Sequence, residues 1–263
     1  GSTDGIGKLA AIRLAKEGHE LYLHGRNFQK LASVIQEIKE ISSHPNINGF
    51  TADFSDLDAV KEMAKQMHKQ LPKLDVLINN AGVFKSKTRV NQQGLDLRMV
   101  VNYLAPYILT RELLPLLEKG TSPRVINLSS AAQAPVSKAV LLGQQKASEN
   151  EAYAQSKLAL TMWSFYLAQK RSDLSVIAVN PGSLLNTNMV KEAYGRFWSS
   201  ADKGAKILHE LATSPNYEGI TGKYYDNDSG QLGNAHVHAY HAEKIEQLIQ
   251  LTEKILGADA MSD

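Results

Sequence analysis

The chain contains no cysteine, which excludes a disulfide framework and thiolate zinc sites. It has no apolar run near the roughly 18 residues that a membrane-spanning helix needs. Neither sign of charge is in excess: 29 Lys and Arg face 27 Asp and Glu, a formal net charge of +2. Without a long basic block to track a phosphate backbone, nucleic acid is not an expected partner. Internal repeats and low-complexity segments are also absent. These absences imply a soluble chain and are compatible with a reducing compartment, so a cytoplasmic location is the expectation. With 263 residues, 43% of them hydrophobic, one substantial core can form. A single domain is expected over 1–256, with 257–263 as a loose tail.

The residues present alternate between strand-like and helix-like stretches. Gly1-Ser2-Thr3-Asp4-Gly5-Ile6-Gly7 runs directly into an amphipathic segment carrying Leu9, Ala10, Ile12 and Leu14. This is the pattern of a glycine turn opening a helix. Such a turn aims backbone N–H groups at a phosphate, where a side chain larger than hydrogen obstructs the approach. A flexible start is the plain alternative. A dinucleotide turn follows a strand, so a strand is expected ahead of Gly1, and without it the sheet should carry a central gap.

Leu21 to Asn27 reads as a strand and turn leading to a helix with Leu31, Val34, Ile35 and Ile38 on one side. Arg26 stands where NAD sites commonly place an acidic residue and where an Arg accepts a 2′-phosphate. A solvated surface Arg is an equal reading. Ile47 to Ala52 is the next strand and ends at Asp53, which suits either an adenine amino group or an ordinary turn. Asp75 to Ile78 is a compact apolar strand ending in Asn79-Asn80-Ala81-Gly82, small and amide residues that suit the ligand crevice of an open α/β sheet. Leu95 to Glu118 is helical apart from two prolines. Pro106 has no N–H for the Asn102 carbonyl, which is thereby freed to hold a water; Pro115 stands in the same relation to Arg111. Arg124 to Leu128 delivers Ser129-Ser130, Leu174 to Val179 delivers Asn180-Pro181-Gly182 with Thr187 beyond, and Tyr224-Tyr225 is read as the last strand.

Glu151 to Lys157 opens an apolar helix that sets Tyr153 and Lys157 one turn apart on one face. That spacing can hold an ammonium near a phenol and favour proton exchange at the phenol. Tyr166/Lys170 and Tyr240/Lys244 share it. In a continuous helix Tyr166 lies about 20 Å along the axis from Tyr153 and is rotated by roughly 220°, so the two cannot serve one site.

Taken jointly, these motifs resemble the short-chain dehydrogenase/reductase family over essentially the whole chain, with the retinol-dehydrogenase-like branch nearest in pattern. Gly1, Gly5 and Gly7 match the family's Thr-Gly-x-x-x-Gly-x-Gly turn without its threonine; residues 79–82 match Asn-Asn-Ala-Gly, 129–130 the paired serines and 153–157 Tyr-x-x-Ser-Lys. The resemblance implies an α/β, Rossmann-type doubly wound parallel sheet flanked by helices, with its first strand missing from this sequence. It implies an NADP(H)-dependent oxidoreductase that interconverts an alcohol and a carbonyl by hydride transfer, NADP(H) being favoured over NAD(H) because of Arg26.

By the family pattern Ser130 orients the substrate, Tyr153 passes the proton, Lys157 assists it and holds the nicotinamide ribose, and Asn102 completes a water relay. Gly1, Gly5, Ile6, Gly7, Arg26, Asp53, Asn80, Ala81, Gly82, Tyr153, Lys157, Pro181, Gly182 and Thr187 are the cofactor-binding set. A mobile substrate lid is expected over about 187–213, with Tyr194, Phe197 and Trp198 packing in it or lining a pocket. Tyr153 follows Ser130 by 23 positions, longer than is usual in the family, with 135–150 as an apparent insertion. The partner is a small-molecule substrate, and a homodimer is compatible with the pattern. Two other classes stay open: a non-catalytic cofactor-binding regulatory or scaffold protein, and an epimerase or dehydratase using the same Tyr-Lys pair. His236, His238 and His241 lack completing ligands and are read as exposed, with no metal.

Overall fold

A computed structural model describes residues 1–257 apart from Gly195, Arg196 and Trp198. The expected loose tail and the expectation for Trp198 therefore lie outside the described residues, as does the side chain of Tyr194.

Short polar residues start the helices. Asp4 caps α1 (Gly5–Lys16), β1 (Leu21–Gly25) leads through the Asn27 cap into α2 (Phe28–Ser42), and β2 (Ile47–Thr51) precedes α3 (Leu57–Gln70), capped by Asp56. After β3 (Val76–Asn79) come α4 (Leu97–Met99), a π-helical stretch over Val100–Leu104, and α5 (Ala105–Leu117). β4 (Arg124–Leu128), the short α6 (Lys138–Leu141), α7 (Glu149–Lys170) and β5 (Ser175–Asn180) complete the central part. Then follow α8 (Asn188–Tyr194), α9 (Ala201–Thr213), β6 (Lys223–Asp226), β7 (Gln231–Gly233) and α10 (Ala242–Leu256).

The strands form two sheets. β1 and β2 pair in parallel; β3, β4, β5 and β6 form a parallel sheet to which β7 adds an antiparallel edge. Tyr224 and Tyr225 thus lie in β6, which is not the last strand. Helices cover both faces, as parallel strands buried on each side require. One layer holds α3, α5, α7 and α10 around Val60, Leu104, Leu113 and Leu158; the other holds α1, α2 and α9 around Ala15, Ile38 and Leu208.

Between β1 and β3 lies a cavity of about 560 Å³, lined by Leu21 and Leu23 on one side and Leu77 and Asn79 on the other. Gly1 and Ser2 enter its top: the Ser2 N–H donates to the His24 carbonyl at 2.8 Å, and the Asn80 amide donates to the Gly1 carbonyl at 2.5 Å. This is the central gap expected from the sequence. Its physical content is two strand edges whose backbone groups have no ladder partner among the described residues.

Two further segments join the core. α9 is a core helix, with Leu208 and Leu211 fully buried and the helix packed along α1, so the C-terminal half of the expected 187–213 lid is part of the core. The residues 135–150 fold onto the core through Val140, Leu141 and Ala147.

Candidate active site

The glycine turn works by contact. A Cβ on Gly7 would stand 2.1 Å from the Gly1 carbonyl oxygen, and one on Gly1 would stand 2.6 Å from Ala81 Cα. Only glycine lets the turn lie this close to the end of β3. Gly5 takes φ +52°, and the Thr187 methyl lies over it, 3.5 Å from where a Cβ would be. Ile6 packs under the turn against Gly204 of α9. The N-terminus of α1 and the Asn80-Ala81 segment therefore form one backbone-lined cradle. A phosphate-bearing dinucleotide fits such a cradle, since exposed N–H groups and the positive helix end meet there.

Arg26 is exposed just past β1, ahead of the α2 cap. Asp53 is exposed at the end of β2, where its carboxylate accepts the Ser55 N–H at 2.9 Å. Sequence reading did not single out Lys30. Its Nζ lies 3.5 Å from the same Asp4 oxygen that accepts a hydrogen bond from Asn188 Nδ2 at 2.6 Å. The Asp4 carboxylate is thus partly offset by a cation and tied to α8.

α7 is buried on nearly all sides. Lys157 is 4% exposed, its Nζ donates to the Leu128 carbonyl at 2.7 Å, and it lies 5.5 Å from the Tyr153 ring centroid. Burial lowers its pKa to about 8. Tyr153 is half-buried, with the Phe84 ring at 4.8 Å across from it. Gly82 sits between the key groups: a methyl there would lie 3.4 Å from Asn102 Oδ1 and 3.6 Å from Lys157 Nζ.

The paired serines divide their work. Ser129 is buried, and its hydroxyl is engaged by the Lys157 carbonyl at 3.1 Å and by Thr161 at 2.7 Å. Ser130 is half-buried, its hydroxyl oxygen accepts the Ala132 N–H, and its carbonyl is held by Tyr224 Oη at 3.0 Å and Gln133 Nε2 at 2.9 Å. The second serine is therefore the one whose O–H can still be donated.

Asn102 lies in the π-helical stretch, where the Ala105 N–H reaches the Val100 carbonyl and Pro106 offers none. Its side chain accepts the Val83 N–H at 2.7 Å and donates to the Val83 carbonyl and to Ser156 Oγ, each at 3.0 Å. The amide thus joins the post-β3 loop to α7. Pro115, by contrast, sits within ordinary α-helix in α5.

Pro181 and Gly182 follow β5, with Gly182 at φ +121° and the Pro181 carbonyl held by Asn227 Nδ2 at 2.8 Å. His236 and His238 are half-buried rather than exposed, because His236 caps the turn at 237–240; His241 is exposed. Among the described residues no cluster suited to a metal ion occurs.

The buried Lys157 makes a testable link to stability. Its folded pKa lies below the unfolded value, so the unfolded state binds more protons between about pH 8 and 10.5. Stability should rise with pH across that window, by up to roughly 3 kcal/mol, and fall back as pH drops towards 8. Urea unfolding of the cofactor-free chain at pH 8 and pH 10 should show this slope, less steep in Lys157→Met. Equal slopes in the two proteins would contradict the assignment.

A parallel-stranded α/β fold with a glycine-lined phosphate cradle and a Tyr-Lys pair at the strand ends defines a nucleotide-dependent dehydrogenase architecture. The model of the short chain dehydrogenase family matches residues 1–196, and the chain belongs to that family. It is an NAD(P)-dependent oxidoreductase of the retinol-dehydrogenase-like branch. It is 30% identical to human polyprenol dehydrogenase, over 94% of this chain and 80% of that protein. Mouse retinol dehydrogenase 13 is 29% identical over 86% of this chain and 73% of its own. A short chain dehydrogenase structure from Escherichia coli CFT073, complexed with NADPH, superposes with a TM-score of 0.72 at 27% identity, covering 86% of this chain and 93% of that one. Among the described residues no helix is long and apolar enough to cross a membrane.

Proposed function

We propose that the chain interconverts an alcohol and a carbonyl with NADP(H), using Tyr153 as proton donor and acceptor, Ser130 as the hydrogen-bond donor to the substrate oxygen, and Lys157 and Asn102 as their supports. The observation that carries this reading is the buried Lys157 ammonium one turn from Tyr153, with no ion pair to any carboxylate among the described residues. A cation so placed acts on the phenol next to it.

The nicotinamide cofactor, when bound, supplies or accepts the hydride. Gly1, Gly5, Gly7, Asn80, Ala81 and Gly82 would hold it, with Thr187 above the turn. Tyr153 gives its proton to the oxygen of a carbonyl being reduced, and takes one from an alcohol being oxidised. Ser130 stabilises the negative charge that develops on that oxygen. Asn102 keeps the Val83 loop and α7 in register through Ser156, whose hydroxyl donates to the Tyr153 carbonyl at 2.7 Å. Thr187 and α8 are the part of the expected lid that can close over the site. A homodimer would have to form away from the surface that α10 covers through Tyr103–Thr252 and Arg111–Glu253.

The test is NADPH absorbance against a panel of carbonyls, with alcohols and NADP⁺ in the reverse direction. The panel includes apolar isoprenoid aldehydes, since polyprenol and retinol appear in the relatives' names. No turnover with any member would reject the reading. Cofactor choice is tested separately. Arg26 lacks a carboxylate's repulsion and can pair with a 2′-phosphate. NADPH should exceed NADH in kcat/KM by about tenfold or more, corresponding to about 1.4 kcal/mol. Arg26→Ala should erase most of that ratio. An unchanged ratio would assign the preference elsewhere.

A further inference from the structure

Arg98 is the largest fully buried charged side chain, 1% exposed, on the second residue of α4. All three nitrogens of its guanidinium are engaged. Nε donates to the Phe84 carbonyl at 2.8 Å, one terminal nitrogen to both Asp96 oxygens at 3.0 and 3.2 Å, and the other to Glu149 Oε1 at 2.6 Å. A buried guanidinium is strongly disfavoured unless paired and hydrogen-bonded in this way. The partners are not arbitrary. Phe84 presents its ring to Tyr153, and Glu149 is the first residue of α7, one turn before Tyr153 on the same face.

We infer that Arg98 is a positioning residue for Tyr153, holding both the backbone of Phe84, whose ring faces the tyrosine, and the helical turn that precedes it. Asp96 aims the guanidinium: its carboxylate also accepts the Arg98 N–H at 2.9 Å as the α4 cap. Arg89 reinforces the same junction, lying 3.9 Å from Asp96 and donating to the Ala147 carbonyl just ahead of α7. The post-β3 loop and the start of α7 are therefore joined twice, by Asn102 behind Tyr153 and by Arg98 in front of it. Arg98 itself touches neither Lys157 nor the glycine turn. Its loss should disturb proton transfer and leave cofactor binding in place. A misplacement of about 1 Å at a reacting group lowers turnover on the order of 10²-fold.

This inference rests on the proposed role of Tyr153, so Tyr153→Phe is measured first. If that variant keeps its activity, the functional reading fails and Arg98 is not at issue. Otherwise Arg98→Met and Glu149→Ala are compared with wild type in kcat, in KM for the carbonyl, and in NADPH affinity followed by fluorescence. The expected result is kcat lower by about 10²-fold in Arg98→Met and about tenfold in Glu149→Ala, with KM and NADPH affinity within about threefold. Glu149→Gln keeps an acceptor oxygen for Arg98 and should restore kcat to within about threefold of wild type. If Arg98→Met does not fold, the Glu149 pair decides. Unchanged kcat in a folded Arg98→Met or in Glu149→Ala would overturn the inference. So would a Glu149→Ala loss shared equally by NADPH affinity, or one that Glu149→Gln fails to rescue.

Discussion

Tyr153→Phe should lower carbonyl reduction by about 10³-fold or more while changing NADPH affinity by less than about threefold. The phenyl ring keeps the contact with Phe84 and the place on α7, so packing and the cradle survive. Only the transferable proton is removed. Lys157→Met should damage both quantities. The ammonium stands between the Tyr153 ring, the Leu128 carbonyl and Gly82, where the proposed cofactor site meets the proton donor. Tyr166→Phe is the control. Lys170 Nζ lies 5.8 Å from the Tyr166 ring, nearly the separation of the Tyr153 pair, yet Lys170 is exposed and stands about 20 Å along α7 from Lys157. Stopped assays with saturating NADPH and a fluorescence titration of each variant check all three. Activity retained by Tyr153→Phe and lost by Tyr166→Phe would move the site to the other end of the helix.

A chain in which an extended apolar segment of five or six residues precedes Gly1 should melt well above the same chain without it. Ser2 already pairs with His24 near the carboxyl end of β1, and the Gly1 carbonyl accepts a hydrogen bond from Asn80 beyond the end of β3. A segment leading into Gly1 between those strands meets two unpaired edges and apolar walls at once. Side-chain burial contributes about 1.5–3 kcal/mol per large residue and each ladder hydrogen bond about 1, against roughly 1–2 per residue for ordering the backbone. A net gain of roughly 5 kcal/mol corresponds to a melting temperature higher by about 10–20 °C. NADPH affinity should rise as well, because the glycine turn would be anchored from behind. A segment of the same length made of Asp, Lys and Ser is the control, since it cannot enter an apolar slot. Equal melting temperatures for the two extended chains would show that the cavity does not take a strand.

Much of this architecture is legible locally. Strands at 21–25, 47–51 and 124–128 and the helices after them follow from apolar periodicity and from caps such as Asn27 and Asp56, which depend on residues a few positions apart. β7 was not legible: Gln231-Leu232-Gly233 is exposed, three residues long, and a strand only because β6 lies beside it. The two serines look alike in local pattern; the family resemblance singles out Ser130, and in the fold the two hydroxyls differ in what each touches.

The sequence by itself determined where the motifs stand, because a glycine that must lie within contact of backbone, a proline lacking an N–H, or a Tyr and Lys one turn apart are short-range demands. Which Tyr-Lys pair is buried, and what clamps it, only the tertiary structure decided. Tyr153 and Tyr166 share one local geometry, and the difference lies in Gly82, Phe84, Asn102 and Leu128, brought to α7 from other strands and loops. Arg98 shows the same dependence, because its charge sits in an apolar stretch and becomes tolerable only once Phe84, Asp96 and Glu149 converge on it.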